Sequence, residues 1–149
     1  MTIQRYDNIV PAGPRKNGFM WGARSRKILR QIHPDLCRVC LMALDRADMD
    51  FGAHCGLRSM ADQKRLVKMG KSRTLNSRHL TGHAVDLHPW VRGEIPWNDW
   101  GLWVTLSNQV QAAAKKIGVP IEWGGDWARF TDCPHFQLPW KEYPAPESN

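Results

Sequence analysis

Residues 77–90 read SRHLTGHAVDLHPW. The segment HAVDLHP alternates apolar and polar residues and is stopped by Pro89, which is the period-two pattern of a strand. On such a strand His83 and Asp86 point to opposite faces, while Asp86 and His88 share one. His79 and His83 are four apart, a spacing that would put both on one face of a helix. Gly82 lies between them, however, and the glutamate of an HExxH motif is absent. Zinc accepts histidine nitrogen and aspartate oxygen, and a catalytic site keeps three protein ligands and one open position. Spacing alone leaves several ligand triads open. The plain alternative is an Asp86 that caps a turn among exposed polar histidines.

Working outward, DFGAHCGLR (50–58) alternates Phe51, Ala53, Cys55 and Leu57 against polar or small neighbours, so a second strand is predicted to end near Arg58. SMADQKRLVKMG (59–70) reads as a helix with Ser59 as its N-cap and Gly70 just past its end. Upstream, PDLCRVCLMALDRA places Pro34 in a first turn and its apolar residues at helical spacing. Leu102, Trp103, Leu106, Val110, Ala113, Ala114 and Ile117 define the best helix in the chain, closed by Gly118. VPIEWGG and HFQLPW are short β-like stretches around an irregular turn. The order predicts an α+β fold: one compact domain over residues 1–149, with a small antiparallel sheet, helices packed around it and the candidate zinc site at the sheet edge. Residues 1–20 read as an extended arm and 141–149 as a tail. Trp100 and Trp103 sit at core spacing, whereas Trp123, Trp127 and Trp140 flank glycine-rich or polar turns and could wall a groove.

The chain has 149 residues and a net charge of 21 − 14 = +7. This favours anionic partners such as nucleic acid, membrane surfaces or acidic wall polymers. The basic residues are scattered rather than gathered into an arm, so no nucleic-acid partner is expected. No apolar run is long enough for a bilayer span, and the first residues lack a secretory h-region. Of four cysteines, Cys37 and Cys40 form a CxxC on an apolar helical face, where thiols act as small hydrophobes. No second CxxC follows to complete a zinc site, and the exposed, electropositive setting that activates a redox thiol is not evident.

A second cluster lies at 123–138, WGGDWARFTDCPHFQL, with Asp126, Asp132 and His135 close together. Asp126 reads as a turn residue after the glycine pair. SRHLTGHAVDL fits the SxHxxGxAxD pattern of the M15 family of zinc peptidases, and PHF with an acid three residues ahead fits their second motif. The whole stretch from about residue 20 to 140 resembles one branch, the phage endolysins that act as L-alanyl-D-glutamate endopeptidases. The resemblance implies His79, Asp86 and His135 as zinc ligands and Asp132 as the catalytic acid/base. It also implies Arg58 as the group that holds the substrate carbonyl or the developing oxyanion. His83 and His88 match no ligand position, and Gln137 stands where some relatives carry glutamate.

The implied function is a monomeric, zinc-dependent peptidoglycan endopeptidase used for host lysis. It would be made in the host cytoplasm and reach the wall after release through a membrane pore. Two alternatives remain: a D-alanyl-D-alanine carboxypeptidase, with Arg73 or Arg78 gripping a free carboxylate, and a non-catalytic zinc domain closed by a fourth ligand such as Cys133.

Overall fold

Among residues 5–145, which the computed structural model describes, four helices surround four short strands. The helices are α1 (Ala23–Leu29), α2 (Pro34–Asp45), α3 (Met60–Lys68) and α4 (Trp100–Ile117). The strands are β1 (Phe51–Cys55), β2 (Ala84–Pro89), β3 (Glu122–Trp123) and β4 (His135–Gln137), with 3-10 turns at Arg78–Thr81 and Gly124–Asp126. Residues 1–4 of the arm and 146–149 of the tail lie outside the described residues. The strands form one antiparallel sheet in the order β1-β2-β4-β3.

The helices start where their sequences say they should. Pro34 opens α2, and the His33 ring accepts the Asp35 N–H at 3.1 Å, satisfying one of the free first-turn donors. Ser59 accepts the Asp62 N–H at 3.1 Å and caps α3. Helix α2 buries Leu36, Cys37, Val39, Cys40 and Leu44 against α4, which returns Leu106, Val110 and Ala113. Both CxxC thiols are free and buried there, and burial pushes Cys37 up to about 11, so neither is a ready nucleophile. Helix α3 differs: it buries only Gln63 and forms a rim rather than a core wall.

Three expectations and one omission need revision. Helix α1 was not expected, because ARSRKIL is short and offers only Ile28 and Leu29 as large apolar residues. Its buried Ser25 accepts the Ala53 N–H at 3.0 Å and so anchors β1. The strand at 50–58 stops at Cys55 instead of near Arg58, after an irregularity between Ala53 and Cys55. Trp100 is 52% exposed and does not join the core, although Trp103, at 1%, does. Trp100 instead lies over Trp123, which is itself buried against Phe136 and not in a groove wall.

The described parts of the arm and tail are both tied down. Asn8 donates to the carbonyls of Leu29 and Ile32, and Asn17 to those of Leu44 and Ala47. Arg78, 2% exposed, donates to the carbonyls of Leu138, Pro139 and Tyr143 and stacks on Trp140. Tyr143 in turn donates to Asp35 at 2.7 Å, and its ring packs against His33.

His83 lies under this clasp, 5.1 Å ring to ring from His33 and bonded to Thr81. Burial, with Arg78 and His33 nearby, lowers its pKa from 6.5 to about 4. A histidine with a depressed folded pKa stabilises fully above pH 6.5, and that contribution is lost as pH falls towards 4. The effect is on the order of 2–3 kcal/mol over the window. Urea midpoints of metal-free protein should therefore fall between pH 7 and pH 4.5. In His83→Gln the fall should be smaller; an equal slope in both proteins would remove His83 from this role.

Candidate metal centre

The register of the sheet places Asp86 on β2 opposite His135 on β4, and Gln137 opposite both Ala84 on β2 and Glu122 on β3. Because side chains alternate, Phe136 enters the core beside Val85 and Trp123, and His135 and Gln137 take the other face. The third residue arrives from the 3-10 turn Arg78–Thr81, opened by Ser77, whose Oγ accepts the His79 N–H at 3.2 Å. Gly82, at φ 76°, reverses the chain in the left-handed region that a side chain disfavours. The reversal sends His79 towards Asp86 and His83 away to the His33 cluster.

His79 Nε2 lies 3.2 Å from Asp86 Oδ1, and His135 Nδ1 lies 3.4 Å from the same oxygen. Ligands about 2.0–2.1 Å from a tetrahedral ion lie about 3.3–3.4 Å from each other, so these separations suit zinc. The tautomers suit it too. His79 Nδ1 faces the Gly56 carbonyl at 2.8 Å, an acceptor, so it carries the proton and leaves the Nε2 lone pair facing Asp86 and open to a cation. Gln137 Nε2 donates to Glu122 at 3.0 Å, which leaves Gln137 Oε1 to accept from His135 Nε2 at 2.8 Å. His135 Nδ1 then also presents a lone pair. Two lone pairs and a carboxylate facing one another call for a cation among them.

The charges in the protein alone say the same. Burial opposes ionisation of Asp86, yet His79 and His135 outweigh it and hold the carboxyl well below the usual range. Burial also opposes a charge on His135, but its hydrogen bond to Asp86 and that group's charge raise its pKa above the ordinary value. The pocket favours a positive charge beside Asp86, and a divalent ion supplies it while releasing the proton.

Cys55 is the residue the sequence did not single out. The irregularity in β1 pairs it with Asp86, and donor atoms of Cys55, His79 and Asp86 lie within 4.8 Å of one another. That trio and the trio with His135 are competing ligand sets. His135 fits better, because its lone pair is fixed at 3.4 Å from Asp86. The Cys55 thiol receives an N–H from Arg58 at 3.2 Å, and burial raises its pKa, which disfavours the thiolate a metal needs. Cys133 is outside both sets; its carbonyl accepts from the Trp123 ring.

Asp132 Oδ2 stands 3.9 Å from His135 Nδ1. Burial and the nearby charge of Asp86 raise its pKa. Its position depends on Gly124: the Asp132 N–H donates to the Gly124 carbonyl at 2.9 Å, and a Cβ on Gly124 would meet the Asp132 carbonyl oxygen at 2.3 Å. Arg58 donates to Gln63 at 2.8 Å and reaches to 3.8 Å from Asp86. Asp126 is an exposed turn residue, as its glycine neighbours suggested, and His88 lies over bare Gly52 next to His54.

The centre opens into a cleft of about 940 Å³. Residues of α3 and of the segment 71–79 line it together with Trp127, Phe130, Asp132 and Trp140. Trp127 and Trp140 therefore wall a groove. Among the described residues no helix is long and apolar enough to cross a membrane.

The link between Gln137 and His135 predicts a measurable effect. Partners that orient a ligand histidine commonly set metal affinity by about 10–100-fold. Gln137→Leu, which cannot accept the His135 proton, should weaken zinc binding by about that factor in chelator competition. An unchanged affinity would show that the amide does not orient the ring.

Residues 17–138 match the family described as phage L-alanyl-D-glutamate peptidase. The chain is 31% identical over 112 residues to the L-alanyl-D-glutamate peptidase of Escherichia phage T5, covering 73% of this chain and 82% of that one. It is 33% identical over 101 residues to the peptidoglycan L-alanyl-D-glutamate endopeptidase CwlK of Bacillus subtilis strain 168, covering 56% of this chain and 57% of that one. The crystal structure of the Serratia marcescens L-Ala D-Glu endopeptidase ChiX superposes with a TM-score of 0.80 at 44% identity, over 87% of this chain and 96% of that one.

Proposed function

Since the chain belongs to the phage L-alanyl-D-glutamate peptidase family and is an enzyme that hydrolyses peptidoglycan, we propose that it is a zinc-dependent endopeptidase that cuts the L-alanyl–D-glutamyl bond of stem peptides during host lysis. The observation that carries the reading is the convergence of two fixed imidazole lone pairs on one Asp86 oxygen, with Asp132 alongside. His79, Asp86 and His135 are the proposed ligands. Zinc held there supplies Lewis acidity, which polarises a carbonyl and brings the pKa of water down to about 7.

The protein's own groups do the rest. Asp132 takes the proton of the attacking water and returns it to the departing amine of D-glutamate. Arg58, held by Gln63, faces the centre as a donor for charge that develops on the carbonyl oxygen. The Gly56 carbonyl and Gln137 keep both imidazoles in the tautomer that binds metal. Synthesis in the host cytoplasm and access to the wall through a separate pore complete the proposal.

Arg78 cannot grip a terminal carboxylate, because it is buried on main-chain carbonyls. Of the two arginines a carboxypeptidase could use, this leaves only Arg73, and the likeness to L-alanyl-D-glutamate peptidases is what favours the endopeptidase. Digestion of purified peptidoglycan should expose new D-glutamyl amino termini. Release of free D-alanine without them would overturn the assignment.

A further inference from the structure

The bond named above leaves a D-glutamyl residue on the departing side, and one of its two carboxyls stays outside the peptide chain. That free carboxylate belongs to the residue that supplies the scissile amide nitrogen and must be accommodated in the cleft. Most of the cations lining the cleft are already committed. Arg58 is bound to Gln63 and Cys55 and faces Asp86, Arg65 pairs with Asp62, and Arg78 is spent on carbonyls. Lys71 and Arg73 have no ion pair among the described residues.

Arg73 is the better placed of these two. Its guanidinium sits 4.8 Å from the centroid of the Phe130 ring, which steadies the cation while leaving its N–H edges free. Phe130 is two residues from Asp132, so Arg73 is tied to the segment that carries the group protonating the departing amine. Its own segment is fixed as well. Gln63, fully buried, donates to Ser72 Oγ at 2.9 Å and to the Thr74 carbonyl at 2.7 Å while accepting from Arg58. One amide therefore sets the spacing between the Arg58 side of the centre and the backbone flanking Arg73.

Resting on the endopeptidase reading, we propose that Arg73, seated on Phe130, binds the free carboxylate of the D-glutamyl residue and sets the preference for an acid over its amide at that position. A bidentate guanidinium–carboxylate pair is the contact this geometry offers. The preference should be about tenfold in kcat/KM, the value of one charge-assisted contact in a partly open site.

The test uses the zinc-loaded enzyme and two stem peptides that differ only in whether that group is carboxylate or carboxamide. The parent enzyme should prefer the carboxylate by about tenfold, Arg73→Gln should bring the ratio to about one, and Arg73→Lys should keep part of it. Phe130→Leu should lower the ratio while leaving the fold intact by thermal melting. Equal cleavage of both peptides by the parent, or an unchanged ratio in Arg73→Gln, would overturn the role of Arg73 and leave the endopeptidase reading standing. Cleavage of neither peptide would overturn both.

Discussion

Replacing His79 by Ala is expected to reduce bound zinc from about one ion per chain to near none and wall hydrolysis by at least about a thousandfold. The reasoning is geometric. His79 supplies one of two lone pairs directed at Asp86, and its ring is 2% exposed and locked by the Gly56 carbonyl. Alanine removes that donor and leaves only Asp86 and His135, too few to hold the ion against water. The loss should appear in metal analysis as well as in lysis, which separates a ligand from a merely structural histidine. His83→Gln is the natural control, since His83 is buried too but packs with His33 and Tyr143. Full zinc content in His79→Ala would mean that the ligand set is wrong.

The second large effect belongs to Asp132. Asp132→Asn keeps the shape of the side chain and its backbone bond to Gly124 but cannot accept a proton. General acid–base groups contribute about 10²–10⁴ to rate, so kcat should fall by about 10³ with zinc content near the parent value. KM should change little, because the group acts on protons rather than on ground-state binding. A domain that only binds zinc would be indifferent to this substitution, and retained lysis would point to that class.

The sequence made the strand at 84–89 and the helices at 34–45 and 100–117 legible, because in each the apolar period matches the face that is buried. His79, Asp86 and His135 were named from motifs, not from spacing. Spacing could not separate His79 from His83, since the outcome depends on Gly82 reversing the chain at a positive φ. Cys55 stayed hidden for a related reason. Its place beside Asp86 comes from an irregular register in β1, and a plain alternating strand would not announce it. The Glu122–Gln137–His135 chain is a cross-strand contact between segments fifteen residues apart, visible only once β3 and β4 are paired. The amide supplies the accepting oxygen and takes its own carboxylate partner from the next strand. Helix α1 was missed because its core contribution is a serine and one leucine, which periodicity hardly registers.

X-ray absorption at the zinc edge of the purified enzyme tests the central claim most directly. The account predicts a first shell of nitrogen and oxygen only, at about 2.0–2.1 Å, with two imidazoles and a coordination position left to solvent. A sulfur scatterer at about 2.3 Å would bring Cys55 into the shell, close the site with protein atoms and contradict the hydrolytic mechanism.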